Sequence, residues 1–585
     1  MPSHAIRSQG WYEETLCQEM HYSELKDWQK EGVMALCGGK DVFLVIGTGQ
    51  GKSFLIQAPI IADRKSGNPS IGIVLVPTKA LADDQARAAK DKGINALALH
   101  KDSRRAAQKE TTPRDLFKET AAGHWELIFL SPEMLTTKPF NKLINDSAFI
   151  KRLRYFTIDE CHLTCEWRHF RAAYGHIVRL RNRFPADSVI WLALSATVSK
   201  RTLPLLVKEL GFSSDRRRCL IKQLPVDRPK ITYSSRLIKH ATSRNKFLDF
   251  AFLASPKPQG PRTAKAFPIT IIFAARIEYG NHLMSYLTNL LPDFLRGKAR
   301  TELILPYNSI MSAAHRLKAA QALRDGSTTR MLMCSASGAF GLDIAEVERV
   351  VVIVNGPDET YETLCQKHGR IRGTGVAITY LPVGLNRSKN RKTDQHLRER
   401  APPVMVEYAN ATSENCPRQI NCRYWGEAFV LPLGVACCNL HDPDIDQEDQ
   451  RITDEYVKLE RSTATTTRGI RGDGTHHPLA PKTLQPAVYK LLKHWRDSVW
   501  FSYPYKTANC PSTMLVTDHL LRSLCKWIHA CTTYQTFRRV MADWERMEEF
   551  GPRLYAFCQK VLPVADTLWT PPLRRKRKIE EEGGK

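Results

Sequence analysis

Two short constellations in this chain could do phosphate chemistry. The first is Gly47-Thr48-Gly49-Gln50-Gly51-Lys52-Ser53, which follows an apolar run from Asp41 to Ile46 and precedes a helical stretch. Glycines let backbone N–H groups curl around phosphate oxygens, and the N-terminus of the next helix adds partial positive charge. There the Lys52 ammonium can reach β- and γ-phosphates, and the Ser53 hydroxyl can hold Mg²⁺. The second is Asp159-Glu160-Cys161-His162, delivered by the run Tyr155-Phe156-Thr157-Ile158. Ligands of open α/β sheets sit at the carboxyl ends of the strands, so this pair can face the phosphates. Asp159 would hold Mg²⁺ through water, and Glu160 would orient or deprotonate an attacking water. The phosphate loop is specific with strand, loop and helix in order, whereas the carboxylate pair is weak alone. In this order, about a hundred residues apart, they predict a site for ATP and Mg²⁺.

The elements that must position these residues are legible as alternation. Apolar runs at 41–46, 71–76, 127–130, 155–158 and 189–194 alternate with helical stretches, and a second set follows at 269–273, 330–334 and 350–354. Continuous apolar runs of this length suit parallel strands covered on both faces. The expected fold class is α/β: two tandem P-loop lobes, then a small Cys-containing module and a C-terminal α-helical domain. The junction between lobes is expected near Val226-Asp227-Arg228-Pro229. The domain boundaries read as lobe 1 at 1–222, lobe 2 at 223–400, a Cys region at 401–443, a linker at 444–483, helices at 484–565 and a basic tail at 566–585.

Of the 585 residues, 86 are Lys or Arg and 60 Asp or Glu, a formal charge of +26. Such an excess favours a polyanionic partner, because each neutralised phosphate releases counterions; a generic basic protein would share it. The 15 cysteines are scattered, without a small disulfide framework or an apolar leader, which points to a reducing compartment. No apolar run of about 18 residues occurs, so no membrane partner is expected. The run Arg574-Arg575-Lys576-Arg577-Lys578 reads either as a solvated tail or as a nuclear-import signal, and the nucleus is the expected location.

Asp-Glu-x-His with this phosphate loop resembles a superfamily 2 helicase, and the neighbouring segments resemble the RecQ family of DNA helicases over roughly residues 20 to 443. Ile46 stands where the general loop pattern has Gly, a position that helicases often relax. Tyr22, Leu25, Lys26 and Gln29 are similar to the family's adenine-reading element, with Leu25 for Phe and Lys26 for Arg. Gln29 can pair with an adenine edge while Tyr22 stacks on the ring. Val76-Pro77-Thr78 with Leu81, Asp84 and Gln85 resembles motif Ia. After His162, the segment with Trp167, Phe170 and Arg171 is similar to the loop that senses single-stranded DNA in the family, one residue shorter after His169. Trp167 and Phe170 either stack on bases or pack inside the lobe. Ser195-Ala196-Thr197 resembles motif III, which links nucleotide state to lobe closure.

In the second lobe, Ile271-Ile272-Phe273 with Arg276 resembles motif IV. The segment from Ser337 to Asp343, with Gly341 and Asp343, resembles motif V, and Gln366-Lys367-His368-Gly369-Arg370-Ile371-Arg372 resembles motif VI. A guanidinium stabilises the charge that spreads as the γ-phosphate leaves. The family spaces its two arginines three residues apart, whereas Arg370 and Arg372 are two apart. Cys416-Pro417-Arg418-Gln419, Tyr424-Trp425-Gly426-Glu427 and Cys437-Cys438 with His441 resemble RecQ zinc modules in degenerate form. Thiolates and an imidazole in tetrahedral array suit Zn²⁺, with Cys416, Cys437, Cys438 and His441 as ligands and Cys422 as a spare; buried thiols are the alternative. The C-terminal helices loosely resemble the family's helical HRDC domain, although aromatics at helical spacing are more often core. The resemblance implies ATP-driven 3′ to 5′ unwinding of duplex DNA in repair or recombination, with single-stranded and duplex or forked DNA as partners. An RNA helicase and a catalytically weak DNA-binding scaffold are the alternatives.

Overall fold

A computed structural model describes residues 7–47, 49–166, 176–185, 188–240, 247–335, 344, 346–388, 391–468, 480, 484–502, 512–542, 544 and 546–567. They form two compact units. The first, built from residues 1–239, 257–280 and 294–448, holds two parallel sheets and the Cys region. The second is built from residues 240–256, 281–293 and 449–585.

The first sheet comprises β1 (Asp41–Val45), β2 (Ile71–Leu75), β3 (Ala96–Leu99), β4 (Leu127–Leu130), β5 (Leu153–Ile158), β6 (Ile190–Ser195) and β7 (Cys219–Gln223). Its strand order is β3-β4-β2-β5-β6-β1-β7, and every pairing is parallel. Strands β2, β4 and β6 are buried throughout, as a sheet covered on both faces by helices requires. Because β5, β6 and β1 are neighbours, the loops leaving their carboxyl ends share one crevice.

The second sheet comprises β8 (Ile231–Ile238), β9 (Thr270–Ala274), β10 (Ile304–Tyr307), β11 (Met331–Cys334), β12 (Arg349–Ile353) and β13 (Gly375–Pro382). It runs β10-β11-β9-β12-β13-β8 and is also fully parallel. The runs at 269–273, 330–334 and 350–354 fall on β9, β11 and β12 as expected. Strands β3, β7, β8, β10 and β13 were not among the expected runs. Four of these lie at sheet edges; β7 and β8 carry polar residues among apolar ones, whereas β3 and β10 are short apolar runs of four residues.

Four helices place the candidate site: α1 (Asp27–Cys37), α2 (Ser53–Lys65), α3 (Lys79–Lys90) and α4 (Tyr361–His368). Helix α5 (Pro417–Trp425) belongs to the Cys region, whose Cys416, Ile420, Cys437 and Cys438 share one core with the second sheet. The Tyr233 N–H donates to the Cys437 carbonyl at 3.3 Å, and the Asn439 N–H to the Tyr233 carbonyl at 3.0 Å. The Cys region thereby covers the edge strand β8, whose ladder groups would otherwise be open to pairing. Helix α6 (Asp444–Arg468) follows. In the second unit α7 (Gln485–Ser502), α8 (Asp518–Trp527), α9 (Tyr534–Val540) and α10 (Met547–Thr567) share a core that includes Leu492, Trp495, Leu521, Phe537 and Leu554. Most of its aromatics are therefore core residues.

Glycine costs about 1 kcal/mol relative to alanine inside a helix. Gly32 in α1 nevertheless has a packing reason: a Cβ there would stand 2.7 Å from Leu55 Cδ1 of α2. This close approach sets α1, which carries Gln29, against the helix that begins at the phosphate loop. Gly32→Val should destabilise the first lobe by about 1–3 kcal/mol, the usual cost of overpacking, and weaken nucleotide binding with it. Urea denaturation and fluorescent-nucleotide titration would measure both, and an unchanged midpoint would contradict the packing argument.

Candidate nucleotide site

The phosphate loop leaves β1, and α2 starts at Ser53. Gly49 and Gly51 have φ of 80° and 93°, values that a side chain disfavours, so the turn needs glycine at both. Strand β5 ends at Ile158, and Glu160 follows with φ 50°, a left-handed conformation rare outside glycine. The Glu160 N–H donates to Asp159 Oδ1 at 3.0 Å, which holds this tight turn. The turn brings Glu160 Oε1 to 3.6 Å from the Lys52 ammonium.

Charge in this crevice is closely balanced. Burial and the adjacent Glu160 carboxylate push Asp159 up to about 6, while Lys52 and a Gln85 donor oppose the rise. Burial also works against the charge on Glu160. The Lys52 and Arg370 cations outweigh it and hold Glu160 below the usual carboxylate range. Among the described residues, Lys52 Nζ and Glu160 Oε2 are buried without a hydrogen-bond partner. A buried ammonium on a glycine turn beside two carboxylates fits a nucleotide phosphate with a hard divalent cation.

The second lobe supplies cations. Motif VI follows the C-terminus of α4, where Arg370 is buried close enough to Glu160 to act on its charge. The Arg372 guanidinium lies on the phosphate loop, since a Cβ on Gly49 would meet its Nη1 at 2.5 Å. The two-residue spacing thus brings both arginines to the crevice. The lobes also meet through a neutral chain. Burial pushes His162 down to about 4, so its ring is uncharged near neutrality. Gln366 Nε2 lies 2.8 Å from His162 Nε2 and donates to Thr197 Oγ1 at 3.0 Å. His162 Nδ1 lies 2.8 Å from Ser195 Oγ, which also accepts from the Thr197 N–H at 3.2 Å. With the Gln366 amide donating to Nε2, the ring proton sits on Nδ1 and points to Ser195.

On the other side of the loop, the Lys26 ammonium donates to the Gln50 carbonyl at 3.3 Å and to Gln50 Oε1 at 3.0 Å. Gln29 is buried, its Oε1 accepting from the Lys26 N–H at 2.9 Å, and its Nε2 faces Gly51. Tyr22 is partly exposed and lies edge-on to Phe54 with ring centroids 5.9 Å apart. Gly47 and Ser53 take their expected places at the loop's two ends. Thr48, Trp167, Phe170, Arg171, Gly341 and Asp343 lie outside the described residues.

One residue assigned by sequence only to motif Ia reaches the site: Gln85 on α3 donates to Asp159 Oδ2 at 2.7 Å. Spacing gave no signal of this contact, because it depends on β2 and β5 pairing so that the loop before α3 opens beside Asp159.

In the Cys region, Cys416, Cys437, Cys438 and His441 bring their ligand atoms within 4.8 Å of one another. The Cys416 and Cys437 sulfurs are 3.9 Å apart, near the ~3.8 Å edge of a tetrahedron with Zn–S bonds of about 2.3 Å. Cys438 Sγ is 3.1 Å from His441 Nδ1. Hydrogen bonds from Cys437 and Cys438 lower the Cys416 thiol, the direction that metal ligation requires. The residues fit a tetrahedral zinc ion. Cys422 stands outside this group, with burial pushing its thiol up to about 12, and is a core thiol rather than a spare ligand.

A DEAD/DEAH box helicase model matches residues 26–205, and a helicase conserved C-terminal domain model matches residues 265–373. The chain carries both helicase domains. It is 28% identical over 192 residues to the RecQ-like DNA helicase blm-1 of Caenorhabditis elegans, covering 32% of this chain and 18% of that protein. It is 30% identical over 212 residues to ATP-dependent DNA helicase Q1 of Rattus norvegicus, covering 36% and 32%. The Mus musculus Q1 helicase matches over 457 residues at 27%, covering 76% of this chain and 64% of that protein. The resemblance to RecQ-like helicases therefore holds, while the alignments span 18 to 64% of these relatives' lengths. Among solved structures, DUF1998 helicase MrfA bound to DNA and AMPPNP matches with a TM-score of 0.50 at 17% identity, over 77% of this chain and 56% of that one. The DEAD-box helicase Mss116 bound to ssRNA matches with a TM-score of 0.50 at 14% identity, over 87% and 88%. These two likenesses establish the two-lobed fold. No helix among the described residues is long and apolar enough to cross a membrane.

A hydrogen bond to a charged group contributes about 1.5–3 kcal/mol. Gln85→Leu should accordingly raise the Mg²⁺ concentration that half-saturates ATP turnover by about tenfold or more. A Mg²⁺ titration at fixed ATP measures this, and an unmoved midpoint would mean that Gln85 does not hold the carboxylate.

Proposed function

We propose that the protein is an ATP-dependent DNA helicase of RecQ type that moves 3′ to 5′ on single-stranded and forked DNA in repair or recombination. The observation that carries this reading is the meeting of Lys52, Asp159 and Glu160 with Arg370 and Arg372 from the other lobe at the phosphate loop. Lys52 takes the β- and γ-phosphates, Glu160 aligns water, and Asp159 and Ser53 hold the metal ion. Mg²⁺ bound there would supply positive charge against that of the phosphates. Arg370 and Arg372 stabilise charge in the transition state, and Arg372 is already against the loop. This favours an active enzyme over a DNA-binding scaffold. Tyr22, Lys26 and Gln29 read the base side of the nucleotide; Thr48, Gly341 and Asp343 complete the site.

Coupling follows from the chain His162–Gln366–Thr197–Ser195. It joins the lobes through neutral hydrogen bonds that break and re-form without moving a charge. Opening the cleft separates Gln366 from His162, and the loop with Trp167, Phe170 and Arg171 follows directly from that histidine. DNA is preferred over RNA because of the resemblance of that loop and of the Cys region to RecQ helicases, and because of the DNA helicases among the relatives. We assign lobe 1 to 1–222, lobe 2 to 223–400, the zinc module to 401–443, a linker to 444–483, an HRDC-like bundle to 484–565 and a basic tail to 566–585. The run Arg574–Lys578 supports a nuclear location.

Wild type and Lys52→Ala, assayed for ATP hydrolysis with and without single-stranded DNA, test the central reading. Wild type should be stimulated by DNA, and Lys52→Ala should lose about 10²-fold or more. Equal rates would sink it. Competition between DNA and RNA duplexes in a strand-displacement assay decides the substrate. Purified protein should carry about one zinc per chain by elemental analysis, and Cys416→Ser should lose most of it. Zinc-free wild type would leave the four residues as core thiols.

A further inference from the structure

The segment joining the two sheets, from the end of β7 to the start of β8, is held by residues in and just after a single helix. Arg418, in the first turn of α5, is fully buried. Its Nη1 donates to Asp227 Oδ1 at 3.0 Å, Asp227 Oδ2 at 2.9 Å and the Arg228 carbonyl at 3.2 Å. Its Nη2 donates to the Ile231 carbonyl, and its guanidinium stands 5.1 Å from the Tyr233 ring centroid. Just past the other end of α5, the Glu427 carboxylate accepts from the N–H groups of Val226 and Asp227. Four groups of one short connection are thus fixed by two side chains that α5 spaces rigidly.

One end of this arrangement leads to the crevice, and the other is tied to the first lobe. Arg228, the next linker residue, donates to the Gly369 carbonyl at 3.0 Å and to the Arg372 carbonyl at 3.3 Å. It therefore fixes the backbone on either side of Arg370, and Arg372 lies on Gly49. At the end of α5, the Lys200 ammonium of the first lobe donates to the Gly426 carbonyl. Cys416 is the N-cap of α5, its sulfur accepting from the Gln419 N–H at 3.4 Å.

We propose that α5 is the fulcrum of the interlobe hinge, and that Arg418 and Glu427 are positioning residues that place Arg372 through the linker, making ATP turnover depend on the Cys region. The proposal deepens the ATP-driven reading above and rests on it. A fork donating at once to a carboxylate and backbone carbonyls fixes both direction and distance, which a lysine cannot reproduce. Loss of the fork leaves the loop glycines, Lys52 and the carboxylates in place, so ATP should still bind. What changes is the fraction of closed lobes that present the guanidinium.

The test uses the full chain carrying Arg418→Gln, Asp227→Asn, both together, and Arg418→Lys, beside wild type and Lys52→Ala. In DNA-stimulated ATP hydrolysis, each single change should lower kcat about tenfold, a plausible size for coupling through a shared network, with KM for ATP within about twofold. The double variant should match the worse single one, because both remove the same link. Arg418→Lys should recover only part of the loss. Encoded, non-cysteine spin labels at exposed Lys208 and Lys318 should report a broader interlobe distance distribution in the Arg418 and Asp227 variants than in wild type. Additive losses, KM rising with kcat falling, or an interlobe distribution as narrow as in wild type would overturn the proposal. If wild type hydrolyses ATP no faster than Lys52→Ala, the ATP-driven reading fails by itself, and the distance measurement still judges whether α5 sets the hinge.

Discussion

The structure depends on keeping an ammonium and two carboxylates together in a crevice almost closed to water. Lys52 and Glu160 are each only 13% exposed, and Asp159 is more buried still. Ions removed from water this far lose several kcal/mol of hydration each, and their mutual attraction returns it only when geometry and further hydrogen bonds are favourable. Here the balance is incomplete: Asp159 is pushed up to about 6, and the Lys52 ammonium stands 3.6 Å from Glu160 Oε1 without a hydrogen bond. A phosphate chain would give the ammonium acceptors, and a divalent cation would give the carboxylates positive charge.

Holding such a group in place is the task of the sheet order. Placing β6 between β5 and β1 sets the Ser195–Thr197 hydroxyls between the carboxylates and the phosphate loop. From there they meet Gln366 of the second lobe. The neutral His162 is consistent with this role. A charged ring so near Lys52 would add repulsion, whereas an uncharged one can exchange hydrogen-bond partners as lobes close.

The Cys region has a larger structural part than its size suggests. It covers the edge of the second sheet, contributes to that lobe's core, and grips the linker between lobes through Arg418 and Glu427. Its ligand set departs from the RecQ pattern in the adjacent Cys437 and Cys438. The bridge from Cys438 to Tyr233 gives the adjacency a physical sense: the pair lies along a strand edge, and the following turn brings His441 back to within 3.1 Å of Cys438.

By itself, the sequence determined that there are two α/β lobes, where the phosphate loop and carboxylate pair lie, and which residues could cluster around a metal. These are properties of local order: a strand, a glycine turn and a helix must follow one another in the chain to make that loop at all. It left the edge strand β7 hidden, because an edge strand needs no continuous apolar run and Lys222 and Gln223 interrupt this one. It also left open whether Arg370 and Arg372, two residues apart, could both serve one crevice. Only the tertiary structure decided that, through a loop braced by Arg228. It alone revealed Gln85 at Asp159 and Arg418 at the hinge. These contacts join residues 74 and 191 positions apart, and which of many polar side chains will meet at such separations is fixed by the strand order and not by spacing along the chain.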